Sequence, residues 1–208
     1  MSVGKLLIFL GAMFSGKTTI ALHLLQTLGR VNKNLYINSA KDTRTKEPFS
    51  SHNIFISAEQ VKELNATMLK VKRLSEISDE IILKHDKIII DEGQFFSATT
   101  DDINRGDIES IIRWVDELHK TIYVLGLSGD SNRKPFGRIL ELIPYADDVK
   151  MLRDTPCDFC AEIGIENTSL FSYRQRDLTG QQEQIGSNEY RAACRKCFNT
   201  KENKNKKL

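Results

Sequence analysis

The chain has little net charge to offer a polyanion. Its 208 residues carry 30 Lys and Arg against 28 Asp and Glu, a formal +2, which argues against nucleic acid or a charged membrane surface as the main partner. It also lacks a long apolar run. The first such stretch, Leu6-Leu7-Ile8-Phe9-Leu10, is too short to span a bilayer and is followed by no small-residue cleavage site, so neither membrane anchoring nor a cleaved leader is expected. There is no cysteine before residue 157, which excludes a disulfide framework through the body of the chain and points to a reducing, cytoplasmic setting. No internal repeat or low-complexity segment breaks the sequence. Enough apolar material remains for one good-sized domain and a small satellite.

Against that plain background one stretch stands out. Gly11-Ala12-Met13-Phe14-Ser15-Gly16-Lys17-Thr18 follows the apolar run and precedes Ile20, Ala21, Leu24, Leu25 and Leu28, which recur at helical spacing up to Gly29. Strand, glycine-bounded loop, then helix is the context of a phosphate-binding loop. Its backbone N–H groups and the positive helix end face one cavity, Lys17 reaches terminal phosphates, and the Thr18 hydroxyl ligates Mg²⁺. Leu35-Tyr36-Ile37-Asn38 reads as the next strand, giving a βαβ unit and hence a parallel sheet covered on both faces. In such sheets ligands lie beyond the carboxyl ends of the strands.

Lys41-Asp42-Thr43-Arg44 falls at that end, as a solvated turn or as part of the site. Ile54-Phe55-Ile56 reads as a short strand and 58–82 as helical, with a break near Ser75 or Ser78. Lys87-Ile88-Ile89-Ile90-Asp91-Glu92 has the look of a strand buried on both faces and ending in two carboxylates. Asp91 would stabilise Mg²⁺ through coordinated water, leaving Glu92 free for chemistry. Ile103, Ile108, Ile111, Ile112, Val115 and Leu118 mark the core face of an amphipathic helix, with Trp114 beside it. Thr121 to Leu127 is a further strand, opening into the basic, Gly-bounded loop 128–137. The four histidines, His23, His52, His85 and His119, are read as non-chemical.

Cys157-Asp158-Phe159-Cys160 and Cys194-Arg195-Lys196-Cys197 have the spacing of paired zinc knuckles. Together they complete a closed four-sulfur site, structural rather than catalytic, with a disulfide pair or redox dithiol as the alternative. Clamping the ends of the long polar interval between them would lower its closure entropy while leaving the tip free to fold over a ligand. The acidic residues of that interval argue against a nucleic-acid ribbon.

In order, Gly-Ala-Met-Phe-Ser-Gly-Lys-Thr-Thr, Lys-Asp-Thr-Arg, Asp-Glu-Gly-Gln-Phe-Phe, Arg-Lys-Pro-Phe-Gly, both CxxC pairs and Ile185-Gly186 with Tyr190 resemble the type II, zinc-containing thymidine kinase family across residues 5 to 197. The resemblance implies an α/β, RecA-like P-loop sheet flanked by helices at 1–152, a zinc-binding lasso domain at 153–200 and a basic tail at 201–208. It implies γ-phosphate transfer from ATP to the 5′-hydroxyl of thymidine, with deoxyuridine as a further candidate, Mg²⁺ and structural Zn²⁺ as cofactors, and a homotetramer, or else a dimer. A P-loop ATPase whose zinc module acts on nucleic acid is the alternative.

Carried over by position, Glu92 becomes the general base. Gly11 to Thr18, Asp42, Arg44, Asp91, Glu92, Gly93 and Gln94 surround the nucleotide. Met13, Phe95, Leu127, Phe136, Gln184, Ile185, Gly186 and Tyr190 surround the nucleoside. Two departures fall on substrate recognition: Ser131 replaces an aromatic residue of many members, and a lengthened stretch after Cys160 leaves the usual Thr contact open between Thr168 and Ser172.

Overall fold

The computed structural model describes residues 3–43, 47, 49, 64–99, 106–175 and 189–205, with side chains as far as Lys201. Arg44, the segment 54–56, Ile103 and the lasso-tip residues Gln184, Ile185 and Gly186 lie outside the described residues.

Six strands form one parallel sheet in the order β3-β2-β4-β5-β1-β6. They are β1 (Lys5–Gly11), β2 (Asn34–Ser39), β3 (Ala66–Val71), β4 (Lys87–Ile90), β5 (Thr121–Gly126) and β6 (Asp148–Leu152). The central strands are buried on both faces, as their unbroken apolar runs require: Leu6, Ile8, Leu35, Ile37, Ile88 and Ile90 are sealed in one layer, Tyr36 and Ile89 in the other. Helix α1 (Lys17–Leu28) covers the second layer through Ala21, Leu22 and Leu25, and ends at Gly29, whose N–H donates to the Leu25 carbonyl. Helices α2 (Asp79–Leu83) and α3 (Asp107–Asp116) lie on the other side.

Two sequence expectations are corrected here. The stretch 58–82 is not helical throughout; Ala66 to Val71 forms strand β3, paired with β2 from Asn34↔Ala66 to Ser39↔Val71. Being half-exposed on both faces at a sheet edge, β3 shows neither an apolar run nor a clean alternation. Trp114 does not stand beside the core face of α3; it is 1 % exposed and belongs to the core, whereas Ile112 sits at its margin and Leu118 lies past the helix end. His85 is a structural histidine, its ring nitrogens bonded to the Ile81 carbonyl at 2.7 Å and Thr67 Oγ1 at 2.8 Å.

After β6 the chain builds a smaller unit. Helix α4 (Asp158–Ala161), the antiparallel hairpin of β7 (Phe171–Arg174) and β8 (Tyr190–Ala193), and α5 (Arg195–Asn205) enclose their own cluster of Cys157, Phe159, Cys160, Tyr173, Ala193, Cys194 and Phe198. Rings meet edge to face within it, Phe159 with Tyr173 at 5.5 Å and Tyr173 with Phe198 at 5.8 Å.

Candidate active site

The loop after β1 turns on two residues in left-handed backbone, Phe14 at φ 65° and Gly16 at φ 82°, and α1 starts directly behind them. Lys17 is 8 % exposed, and its ammonium donates to the carbonyls of Ala12 at 2.7 Å and Gly11 at 3.3 Å and to Ser15 Oγ at 3.2 Å. The lysine charge therefore sits inside the loop, at the mouth of the helix, where a polyphosphate would lie.

Two strands away, β4 delivers the carboxylates. Asp91 continues the ladder, its N–H on the Ile37 carbonyl, and its side chain is buried, accepting from the Tyr36 hydroxyl at 2.9 Å and the Glu92 N–H at 2.9 Å. Burial, then the neighbouring Glu92 charge, pushes the Asp91 carboxyl up to about 6, opposed by those hydrogen bonds and by the Lys17 charge. Tyr36 is held well above its ordinary value by burial and by Asp91, Glu92 and Asp42, so three carboxylates gather at this sheet end. Asp42 is itself buried and receives Asn38 Nδ2 at 3.1 Å. Tyr36 is a site residue that its strand context concealed in the sequence.

Glu92 takes a left-handed conformation, φ 53°, which a non-glycine residue adopts only under constraint. The turn carries its side chain away from that of Asp91 into a bond from Gln94 Nε2 at 2.6 Å. Gln94, 1 % exposed, uses its other end to accept from the Leu127 N–H at 2.9 Å, so the β4 and β5 ends are tied through one amide. Phe95 and Phe136 meet edge to face at 5.6 Å, both nearly buried.

The hairpin reaches this site from the other side. Met13 N–H donates to Ser172 Oγ at 2.8 Å, and Thr155 Oγ1 donates to the Phe14 carbonyl at 3.1 Å. Ser172 is 5 % exposed, while Thr168 is exposed, so it is Ser172 that meets the loop. The register Ser172↔Ala192 and Arg174↔Tyr190 puts Tyr190 on the same face of the hairpin as Ser172. Burial raises the Tyr190 phenol, against the charge and hydrogen bond of Arg174.

The four cysteines converge, with ligand sulfurs all within 4.8 Å of one another; Cys160 Sγ lies 3.8 Å from Cys194 Sγ and 3.6 Å from Cys197 Sγ. Sulfurs about 2.3 Å from a tetrahedral metal stand roughly 3.8 Å apart, so the spacing fits such an ion. The chemistry fits as well. Burial pushes the Cys197 thiol up to about 12, and four sulfurs so crowded need a cation to be held as thiolates. Backbone N–H groups already point at two of them, Cys194 N–H at Cys157 Sγ and Cys197 N–H at Cys194 Sγ.

A parallel sheet with a phosphate-binding loop after one strand and paired carboxylates after another, two strands off, defines a P-loop phosphotransferase. The family model for thymidine kinase matches residues 4–198. Relatives include thymidine kinase of Myxoma virus, 30 % identical over 94 % of this chain and 96 % of its own, and cytosolic thymidine kinase of Homo sapiens, 31 % identical over 94 % and 73 %. The thymidine kinase of Mycoplasma mobile is 30 % identical over 94 % of this chain and 88 % of its own. This chain belongs to the thymidine kinase family.

Proposed function

We propose that the chain transfers the γ-phosphate of ATP to the 5′-hydroxyl of thymidine. The observation that carries this is the convergence on one sheet end of Lys17, the Asp91–Glu92 pair and the Ser172 hairpin, in a chain of this family. Backbone N–H groups from Gly11 to Thr18 and the Lys17 ammonium hold the donor phosphates. Thr18 and, through water, Asp91 would hold Mg²⁺, which when bound would neutralise charge on the donor phosphates. Glu92 is the group left for the acceptor proton. Because phosphoryl transfer is mostly positioning and charge stabilisation, a carboxylate suffices as base.

Phe95 and Phe136 wall the nucleoside, Met13 and Leu127 crowd the base, and Tyr190 comes from the hairpin. Zn²⁺ on Cys157, Cys160, Cys194 and Cys197 fixes that hairpin. The kinase domain runs over 1–152, the zinc-binding domain over 153–200 and the tail over 201–208. The working form is a cytoplasmic homotetramer. Among the described residues no helix is long and apolar enough to cross a membrane.

The test is incubation with Mg-ATP and a nucleoside panel, reading monophosphate formation. Thymidine should be the preferred acceptor. ATP hydrolysis stimulated by single-stranded DNA, without nucleoside phosphorylation, would overturn the reading.

A further inference from the structure

Beside the phosphate-binding loop, where β6 ends against the zinc unit, lies a second cleft of about 220 Å³. Gly11, Ala12 and Ser172 form its inner wall, and Arg133, Arg153 and Arg195 line it from three separate parts of the chain. Among the described residues none of these three arginines forms an ion pair. Three other arginines are paired, Arg113 with Asp79, Arg138 with Glu109 and Glu141, and Arg191 with Asp158 and Glu162. One carboxylate, Asp130, shares the wall, but its Oδ1 accepts from the N–H groups of Asn132 at 2.8 Å and Lys134 at 2.9 Å and so shapes the turn that carries Arg133. Three guanidiniums thus meet one carboxylate.

Two of the arginines pack against aromatic rings. The Arg133 Cζ lies 4.7 Å from the Phe198 ring and 5.5 Å from Phe171, and the Arg195 Cζ lies 5.1 Å from Phe171. Arg133 also donates from Nη1 to Asn199 Oδ1 at 3.2 Å, and the remaining N–H groups of a guanidinium stacked on a ring lie in its plane, where they can donate to an oxyanion. Arg195 is the first residue of α5, whose first-turn N–H groups of Cys197 and Phe198 donate to Cys194. The volume is below that of pockets for drug-sized ligands, which run from about 300 Å³. A compact, multiply charged oxyanion suits it; a nucleic-acid strand does not.

We propose that this cleft, which shares the wall of Gly11, Ala12 and Ser172 with the donor and acceptor sites, is a further anion site for a compact oxyanion of the orthophosphate class. Its occupant joins the turn after β5, the exit of β6 and the zinc unit, and so stiffens the junction that carries the Met13–Ser172 bond.

The test uses the full, zinc-loaded chain saturated with thymidine and the Mg²⁺ complex of a non-hydrolysable ATP analogue, so that the phosphate-binding loop is already filled. Orthophosphate is then titrated by calorimetry. One saturable equivalent is expected, weakened at least about tenfold in Arg153→Gln/Arg195→Gln, because charge-assisted donors are lost. Should that variant fail to fold, Arg153→Gln alone, at an exposed position, should weaken uptake about threefold. Absence of saturable uptake by the unmodified protein, or unchanged affinity in a folded variant, overturns the proposal.

Discussion

Met13 N–H donates to Ser172 Oγ at 2.8 Å, joining the phosphate-binding loop to the hairpin across 159 residues of sequence. Ser172→Ala leaves that N–H without its partner in a part-buried position, which should destabilise the protein by about 1–3 kcal/mol. Because the bond sits on the acceptor side, KM for thymidine should rise several-fold while KM for ATP stays near its starting value. Ser172→Thr keeps the hydroxyl and should recover both. Steady-state kinetics beside denaturant melts would check this, and equal effects on the two substrates would contradict it.

Glu92, the proposed base, sits in a left-handed turn and accepts a hydrogen bond from Gln94. Glu92→Gln retains shape and removes basicity, so kcat should fall by about 100-fold or more with little change in thymidine affinity. Single-turnover rates and a binding titration separate the two quantities. Unchanged kcat would remove Glu92 from the mechanism.

The proposed Mg²⁺ role of Asp91 predicts pH-sensitive activity. Its carboxyl, raised by burial and by Glu92 to about 6, binds a proton more tightly in the folded than in the unfolded chain. The metal-free protein should therefore lose stability as pH climbs from about 4 to about 6, and Asp91 adds no further change above that window. In the free enzyme, kcat/KM should fall as pH drops through about 6, because the neutral acid cannot serve Mg²⁺. Tyr36→Phe deletes a bond that stabilises the carboxylate and should move that limb to higher pH by about half a unit or more. A pH profile with the limb unmoved would refute the assignment.

Removing the metal should act on one substrate first. Chelation, or Cys194→Ser, loosens the cluster from which β7 and β8 extend, so thymidine affinity should drop by about tenfold or more while ATP-analogue binding persists. Metal analysis should give one zinc per chain. Intact thymidine affinity in a metal-free, folded protein would show that the hairpin stands without its clamp.

Gly137 has φ 60°, and a Cβ there would lie 2.0 Å from the Gln94 carbonyl oxygen. Gly137→Ala combines a disfavoured backbone conformation with a clash against main chain, and should destabilise by at least about 2 kcal/mol. It should also lower activity, since Gln94 positions both Glu92 and Leu127. A thermal melt with no shift would mean that the Phe136–Gly137 turn yields easily.

The parts of the site legible in the sequence are those whose chemistry is local. The phosphate-binding loop needs its glycines and Lys17 in one run, Asp91 and Glu92 end an unmistakable isoleucine strand, and each CxxC pair announces itself. What depends on tertiary pairing was not legible. The half-exposed edge strand β3 carries neither an apolar run nor an alternation and reads as helix, and β6 has only a short alternation, Asp148 and Lys150 against Val149 and Met151. That Ser172 meets the phosphate-binding loop depends on a hydrogen bond to Met13 that no spacing within the lengthened stretch encodes. Tyr36 is similar: its strand was evident, but its bond to Asp91 exists only because β2 and β4 are neighbours.

The hydrogen bond that joins Met13 to Ser172 also orders the protein's birth. The loop is synthesised before the serine that braces it, which follows Met13 by 159 positions. Contacts of such long sequence separation form late. Until then the loop stands without its brace, so the junction of sheet and hairpin is completed only once the hairpin has been made.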